Sequence, residues 1–225
     1  MEDQKSGAIA IFVKTPEFSE VKTRLAKGIG KENAIQFHLS SAKAVAAIAK
    51  STHRKVFFAV AEKAAQDSKH WKEFPTCLQG EGSLGHRMGN VYATLLKSNN
   101  FVILLGADSP QIRPEDLVKG MAWLEDSSES RFIFGPARDG GFWIFGGNEN
   151  VPETIWTSVE YSQEDTGKNF LEKIETLGDV FILLEYRDID TEEDLEPVIF
   201  EMEKQKSLLK EQVNLVNLAR KFIGH

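Results

Sequence analysis

Seven consecutive positions from Gly7 to Val13, GAIAIFV, are apolar before Lys14 interrupts them. A run without polar alternation suits a strand covered on both faces, so it predicts a central strand of a largely parallel sheet. From Ile35 the apolar positions Ile35, Leu39, Ala42, Val45, Ala46 and Ala49 recur every three or four residues. That spacing predicts a helix with one buried face through about Lys50. Lys55 to Ala61 reads as a second strand, Ser83 to Lys97 as a second amphipathic helix, and Phe101 to Leu105 as another central strand. Pro114 to Leu124 starts with proline, which is tolerated in a first helical turn. Arg131 to Phe134 and Phe142 to Phe145 are apolar runs joined through GPARDGG, a hairpin pattern. Lys168 to Leu177 reads as helix, Val180 to Tyr186 as a last strand, and Thr191 to Lys204 and Ser207 to Ile223 as closing helices.

Strands alternating with helices predict an α/β fold, a three-layer sandwich around a mostly parallel sheet. The length of 225 residues suits one unit, 1–225, in which 205–225 form a helical extension that packs on the sheet or buries a homodimer face. In such a fold ligands sit beyond the carboxyl ends of the strands, so polar residues that directly follow a strand are the candidates.

Charge changes the picture next. There are 27 Lys and Arg against 34 Asp and Glu, a net charge of −7, which disfavours nucleic acid and anionic membrane as partners. No apolar stretch approaches the roughly 20 residues of a membrane span. The single cysteine, Cys77, and the lack of N-x-Ser/Thr sequons point to the cytoplasm. Cys77 lies in a short apolar stretch and reads as a structural thiol.

Four clusters follow predicted strands. Lys14, Lys22 and Arg24 put three cations within eleven residues, a local trap for a diphosphate or else a solvated helix start. Asp108, in GADSP, projects one carboxylate from a strand end, suited to Mg²⁺ or to capping the turn before the next helix. Asp139, Gly140 and Gly141 form either a tight turn or a close backbone approach to a ligand, with Phe142 and Trp143 as a wall for a base or sugar or as core residues. In RDIDTEEDL, Thr191 and Asp194 have capping-box spacing, which leaves Asp188 and Asp190 to complete a metal site with Asp108. His38 reads as a partly exposed helix residue, and Arg87 in SLGHRM as an anion contact at a helix start. No dinucleotide fingerprint, GxxxxGK[ST] loop, G-x-S-x-G elbow or HExxH occurs.

Together KTP…VKTRL, SLGHRM, LLGADSP, GPARDGGFW and RDIDTEEDL, which span residues 12 to 195, resemble the DUF2064, or selenodomain-associated transferase, group of bacterial candidate glycosyltransferases. The resemblance implies a GT-A, nucleotide-diphospho-sugar transferase fold, shared with molybdenum-cofactor guanylyltransferases and phospholactate nucleotidyltransferases. It implies Mg²⁺ or Mn²⁺ at Asp108 and Asp190, nucleotide phosphates on Lys14, Lys22 and Arg24, and a sugar or acceptor pocket at Asp139, Gly140 and Gly141. Trp156 to Thr166 resembles a further family segment near that pocket. Asp108 is followed by Ser109 and Pro110, so this position has one carboxylate where a D-x-D motif has two. The glycine-rich opening of sugar nucleotidyltransferases is replaced by the basic loop, which favours a diphosphate donor over a triphosphate. The implied activity is sugar transfer from a nucleotide diphosphate sugar to a small acceptor, with Asp139, and less strongly Glu160, as acceptor base and Arg87 beside the reacting phosphates. The alternatives are a nucleotidyltransferase that joins a nucleoside triphosphate to a phosphorylated acceptor, and a noncatalytic sugar-nucleotide sensor.

Overall fold

The structure is a computed structural model that describes residues 6–125 and 128–223; both ends of the expected 1–225 unit lie outside the described residues. The strands are β1 (Ala8–Val13), β2 (Lys55–Val60), β3 (Thr76–Leu78), β4 (Val102–Gly106), β5 (Arg131–Pro136), β6 (Phe142–Gly147) and β7 (Asp179–Ile182). They form one seven-stranded sheet in the order β3-β2-β1-β4-β6-β5-β7. Only β6 runs against the rest. The carboxyl ends of the other six strands and the start of β6 therefore share one edge.

The helices are α1 (Thr23–Ile29), α2 (Lys31–Ser51), α3 (Leu84–Leu96), α4 (Pro114–Glu125), α5 (Glu153–Thr157), α6 (Thr166–Ile174), α7 (Glu192–Glu203) and α8 (Lys210–Ala219). Both sheet faces are covered, as the unbroken apolar runs require. On β1, Ile9, Ile11 and Val13 pack in one layer with Val45 and Ala49 of α2 and Leu117 and Met121 of α4. Ala8 and Ala10, alternating with them, join Met88 and Val91 of α3, Trp156 of α5 and Phe170 of α6 in the other. A third cluster, with Leu25, Phe37, Leu195 and Leu215, ties α1, α2, α7 and α8 together. The closing helix packs on α2 within the chain, and Leu215, Val216 and Ala219 are buried. Among the described residues no helix is long and apolar enough to cross a membrane.

Three departures from the pattern-based expectation shape the edge that carries the strand ends. Thr23–Ile29 is helical although Leu25 is its only buried residue and Lys22 caps it in a left-handed conformation, φ 49°, without a capping side-chain bond. Thr76–Leu78 is a three-residue edge strand, too short to show a period. The last strand ends at Ile182 rather than Tyr186. Beyond it the chain leaves the ladder, the Leu184 carbonyl accepts from Trp143 Nε1 and Tyr186 bridges to Ala137. This bend carries residues 187–190 towards β4, where Ile189 N donates to the Asp108 carbonyl at 3.1 Å.

Candidate active site

The order of the sheet puts a crevice between the carboxyl ends of β1 and β4, where connections depart in opposite directions. The loop after β1 supplies Lys22, the end of β4 leads to Asp108, and the segment after β7 supplies Asp188 and Asp190. Lys22 Nζ lies 3.0 Å from Asp108 Oδ1 and 3.0 Å from Asp190 Oδ1, with 4% of its side chain exposed. It also donates to the Ile189 carbonyl. Burial alone would lower the ammonium's pKa, but the two carboxylates outweigh it and hold the group above its ordinary value. Arg24 Nη2 pairs with the other Asp190 oxygen at 2.7 Å.

Buried amides and carboxyls fix these loops. Gln212 of α8 donates to the carbonyls of Pro110 and Ile112, at 2.9 and 3.2 Å, so the closing helix holds the turn that follows Asp108. Gln111 donates to the Arg187 carbonyl at 2.6 Å. Asp194 accepts from the N–H groups of Asp190 and Thr191, at 3.2 and 2.9 Å, as the capping spacing predicts. His38 is buried and sets its Nε2 2.9 Å from the Lys14 carbonyl, a role its helical position did not suggest. Burial pushes its pKa down, so the ring is neutral at neutral pH.

Two cavities meet at this cluster and share Arg24, Leu84, Asp108 and Asp190. The first, about 380 Å³, is lined by Lys14, Lys22, His38 and Gln79. The second, about 450 Å³, is lined by Asp139, Gly141, Phe142, Tyr161, Glu164 and Asp188. The 156–166 segment thus contributes Tyr161, Gln163, Glu164 and Thr166 to the second lobe. Leu84, 45% exposed, stands on the seam.

Asp188 is half-buried, and Ser109 Oγ donates to it. Burial, and then the nearby Asp108 charge, push its carboxyl up to about 7 from an ordinary 3.8. The native state therefore keeps this proton to higher pH than the unfolded chain does. Its contribution to stability is full below about pH 4 and is lost as pH rises to about 7. Asp188→Asn is expected to raise the melting midpoint at pH 8 by several degrees and to flatten the decline between pH 4 and 7, which a pH series of thermal melts checks.

Gly140 is left-handed at φ +87°, and a Cβ there would lie 1.9 Å from the Glu164 carbonyl oxygen. Its own carbonyl accepts from Gly167 N at 2.7 Å. This close approach joins the β5–β6 turn to the start of α6. Gly140→Ala is expected to cost about 2 kcal/mol through backbone strain and overlap. Denaturant unfolding would read this as a lower midpoint with an unchanged slope.

Three of the candidate side chains fall outside the cleft walls. Trp143, proposed as a ligand wall, is 1% exposed and packs edge-on against Tyr186, because β6 alternation turns it into the core. Arg87 folds back, Nε donating to the Gly82 carbonyl at 3.2 Å, and lines neither lobe. Glu160 lines neither lobe either, and its carbonyl accepts from Thr166 Oγ1. Gln79, His38, Leu84 and Glu164 were missed. Gln79, at the head of QGEG directly after an apolar stretch, and Glu164, inside the 156–166 segment, had a usable sequence signal.

The mostly parallel seven-stranded α/β fold is shared with solved nucleotide-sugar transferase and cytidylyltransferase folds. The fold matches a candidate nucleotide-diphospho-sugar transferase from Desulfovibrio desulfuricans G20 with a TM-score of 0.84 and 22% identity, covering 97% of this chain and 99% of that one. A cytidylyltransferase from Leptospira borgpetersenii serovar Hardjo-bovis matches with a TM-score of 0.56 and 17% identity, covering 97% and 95%. A 4-diphosphocytidyl-2C-methyl-D-erythritol synthase from Anaerococcus prevotii matches with a TM-score of 0.54 and 10% identity, covering 89% and 98%. At these identities the likeness is one of fold. Residues 42–163 match the profile of DUF2064, described as an uncharacterized protein conserved in bacteria, and the chain belongs to that family. No curated protein matches the chain.

Proposed function

We propose that the protein is a metal-dependent transferase that moves a sugar from a nucleotide diphosphate sugar to a small acceptor. The observation that carries this reading is the convergence of Asp108 and Asp190, from different strand ends, on one buried ammonium between a lobe with cationic walls and a second lobe. Mg²⁺ and Mn²⁺ fit the donor set, because a hard cation takes one or two carboxylates and completes its shell with water and substrate phosphates. Asp108 and Asp190 would hold it, and among the described residues there is no cluster of three or more candidate ligands. The cation supplies charge that stabilises a departing diphosphate. Lys14, Lys22 and Arg24 bind the phosphates, and Leu84 offers the nucleoside an apolar contact.

In the transfer an acceptor hydroxyl oxygen bonds to the anomeric carbon. The bond from that carbon to the β-phosphate oxygen breaks, and its electron pair leaves with the nucleoside diphosphate. The hydroxyl proton passes to a carboxylate of the second lobe, which we assign to Asp139.

Thermal unfolding with UDP, GDP, CDP, ADP and the corresponding triphosphates, each with Mn²⁺ or chelator, tests the donor half. A ligand at 100 times its Kd stabilises by about 2.7 kcal/mol, roughly 5–11 °C for a chain of this size. A metal-dependent shift with one diphosphate is the expected result. Preference for a triphosphate with pyrophosphate release would replace the reading with a nucleotidyltransferase, and tight binding without turnover on any acceptor would replace it with a sensor.

A further inference from the structure

The second lobe is the more acidic of the two. Lys14, Lys22 and Arg24 face the first together with Glu20, Asp108 and Asp190, whereas among the described residues Arg24 is the only Lys or Arg on the walls of the second and is already paired with Asp190. When Asp108 and Asp190 are neutralised by a cation, the carboxylates of Asp139 and Glu164 still line the second lobe. One oxygen of Asp139 is fixed by the Gly141 N–H at 2.9 Å, so this carboxylate is held in place. Phe142 and Tyr161 add aromatic surface to this wall. Phe142 stacks on Phe170 at 5.0 Å between centroids and 13° between planes, and Tyr161 is anchored through its hydroxyl to the Trp156 carbonyl.

We infer that the acceptor bound in the second lobe is a hydroxyl-rich molecule without an anionic group, and that phosphorylated and carboxylated molecules are rejected there. The inference rests on the transferase reading and deepens it. Hydroxyls donate strong bonds to carboxylates, and the flat ring of Phe142 covers the apolar face of a compact polyol. A phosphate or carboxylate would instead lie among like charges with no unpaired cation to meet it, and such juxtaposition is an effective device for excluding partners. The same exclusion counts against a nucleotidyltransferase that uses a phosphorylated acceptor.

Ligand-observed NMR on the full chain with MgCl₂ and the nucleoside diphosphate chosen by thermal shift tests this. The probes are glucose, glucosamine, glucose 6-phosphate and glucuronate. Glucose and glucosamine are expected to bind at least about ten-fold more tightly than the two anions. The gap is expected to close in the Asp139→Asn/Glu164→Gln double variant and to narrow in Glu164→Gln alone, an exposed, near-isosteric change that spares the fold. Preference for glucose 6-phosphate, equal binding of all four, or binding of none overturns the assignment. Metal-dependent nucleotide binding in the same samples reports separately on the donor site. Its loss defeats the transferase reading, whereas its persistence beside a preference for the anions defeats the acceptor assignment alone.

Discussion

On the proposed reading, exchanging Asp108 for Asn is expected to lower kcat for sugar transfer by roughly two to three orders of magnitude and to abolish the metal-dependent part of the nucleotide-induced thermal shift. The change keeps side-chain size and leaves the backbone bond from Ile189 N to the Asp108 carbonyl in place, so the loop geometry survives. What is lost is half of a two-carboxylate cation site. Removing a preorganised electrostatic contact of this type costs about 2.7–4 kcal/mol in the transition state, which is the origin of the expected factor. The free protein should melt close to wild type, because the Asp108 side chain is 39% exposed and water replaces much of its interaction with Lys22. Steady-state kinetics and melting curves on the same samples check both halves, and an unchanged kcat would remove Asp108 from the site.

The Lys22→Met variant has two opposing signatures. Turnover is expected to fall by about 100-fold or more, because on the proposed reading a charge at the phosphates is gone. Without added metal the fold also weakens, since Asp108 and Asp190 then face each other without the ammonium between them. Removing one partner from a fully buried pair costs about 3–5 kcal/mol. Both carboxylates are partly exposed, which reduces the expected loss to about 2 kcal/mol, or roughly 4–8 °C. Mn²⁺ then stabilises the variant more than it stabilises the wild type, because the cation no longer competes with a tethered ammonium. Melting curves across a Mn²⁺ titration measure this, and equal responses in the two proteins would refute the shared position.

Much of this architecture was legible because central strands in a parallel sheet are apolar without interruption. GAIAIFV and FVILL declared themselves as β1 and β4, and the three- and four-residue spacing declared α2 and α3. Thr23–Ile29 left no comparable trace, since tertiary packing of Leu25 rather than an amphipathic period holds it. Asp108 and Asp190 could be picked out by their position after strands. The state of Lys22 could not, because a lysine in a charged stretch reads as solvated and nothing local shows that two carboxylates from distant segments enclose it. Trp143 illustrates the reverse error. An aromatic residue after a glycine pair suits a ligand wall, yet the register of β6 decides that Phe142 faces the cleft and Trp143 the core. The β7 boundary failed for a related reason: Leu183 to Tyr186 is apolar enough to be strand but is used to cross from the sheet edge back to β4.

The Lys22–Asp190 contact joins residues 168 positions apart. On a translating ribosome, at about 5–20 residues per second, roughly 10–30 s separate the synthesis of the lysine from that of its carboxylate partner. Until then the emerging chain has the basic loop without the acidic strand end that encloses it. The second carboxylate of the proposed donor site is therefore the last part to arrive, when the final third of the chain docks, after the basic loop and Asp108 have already been made.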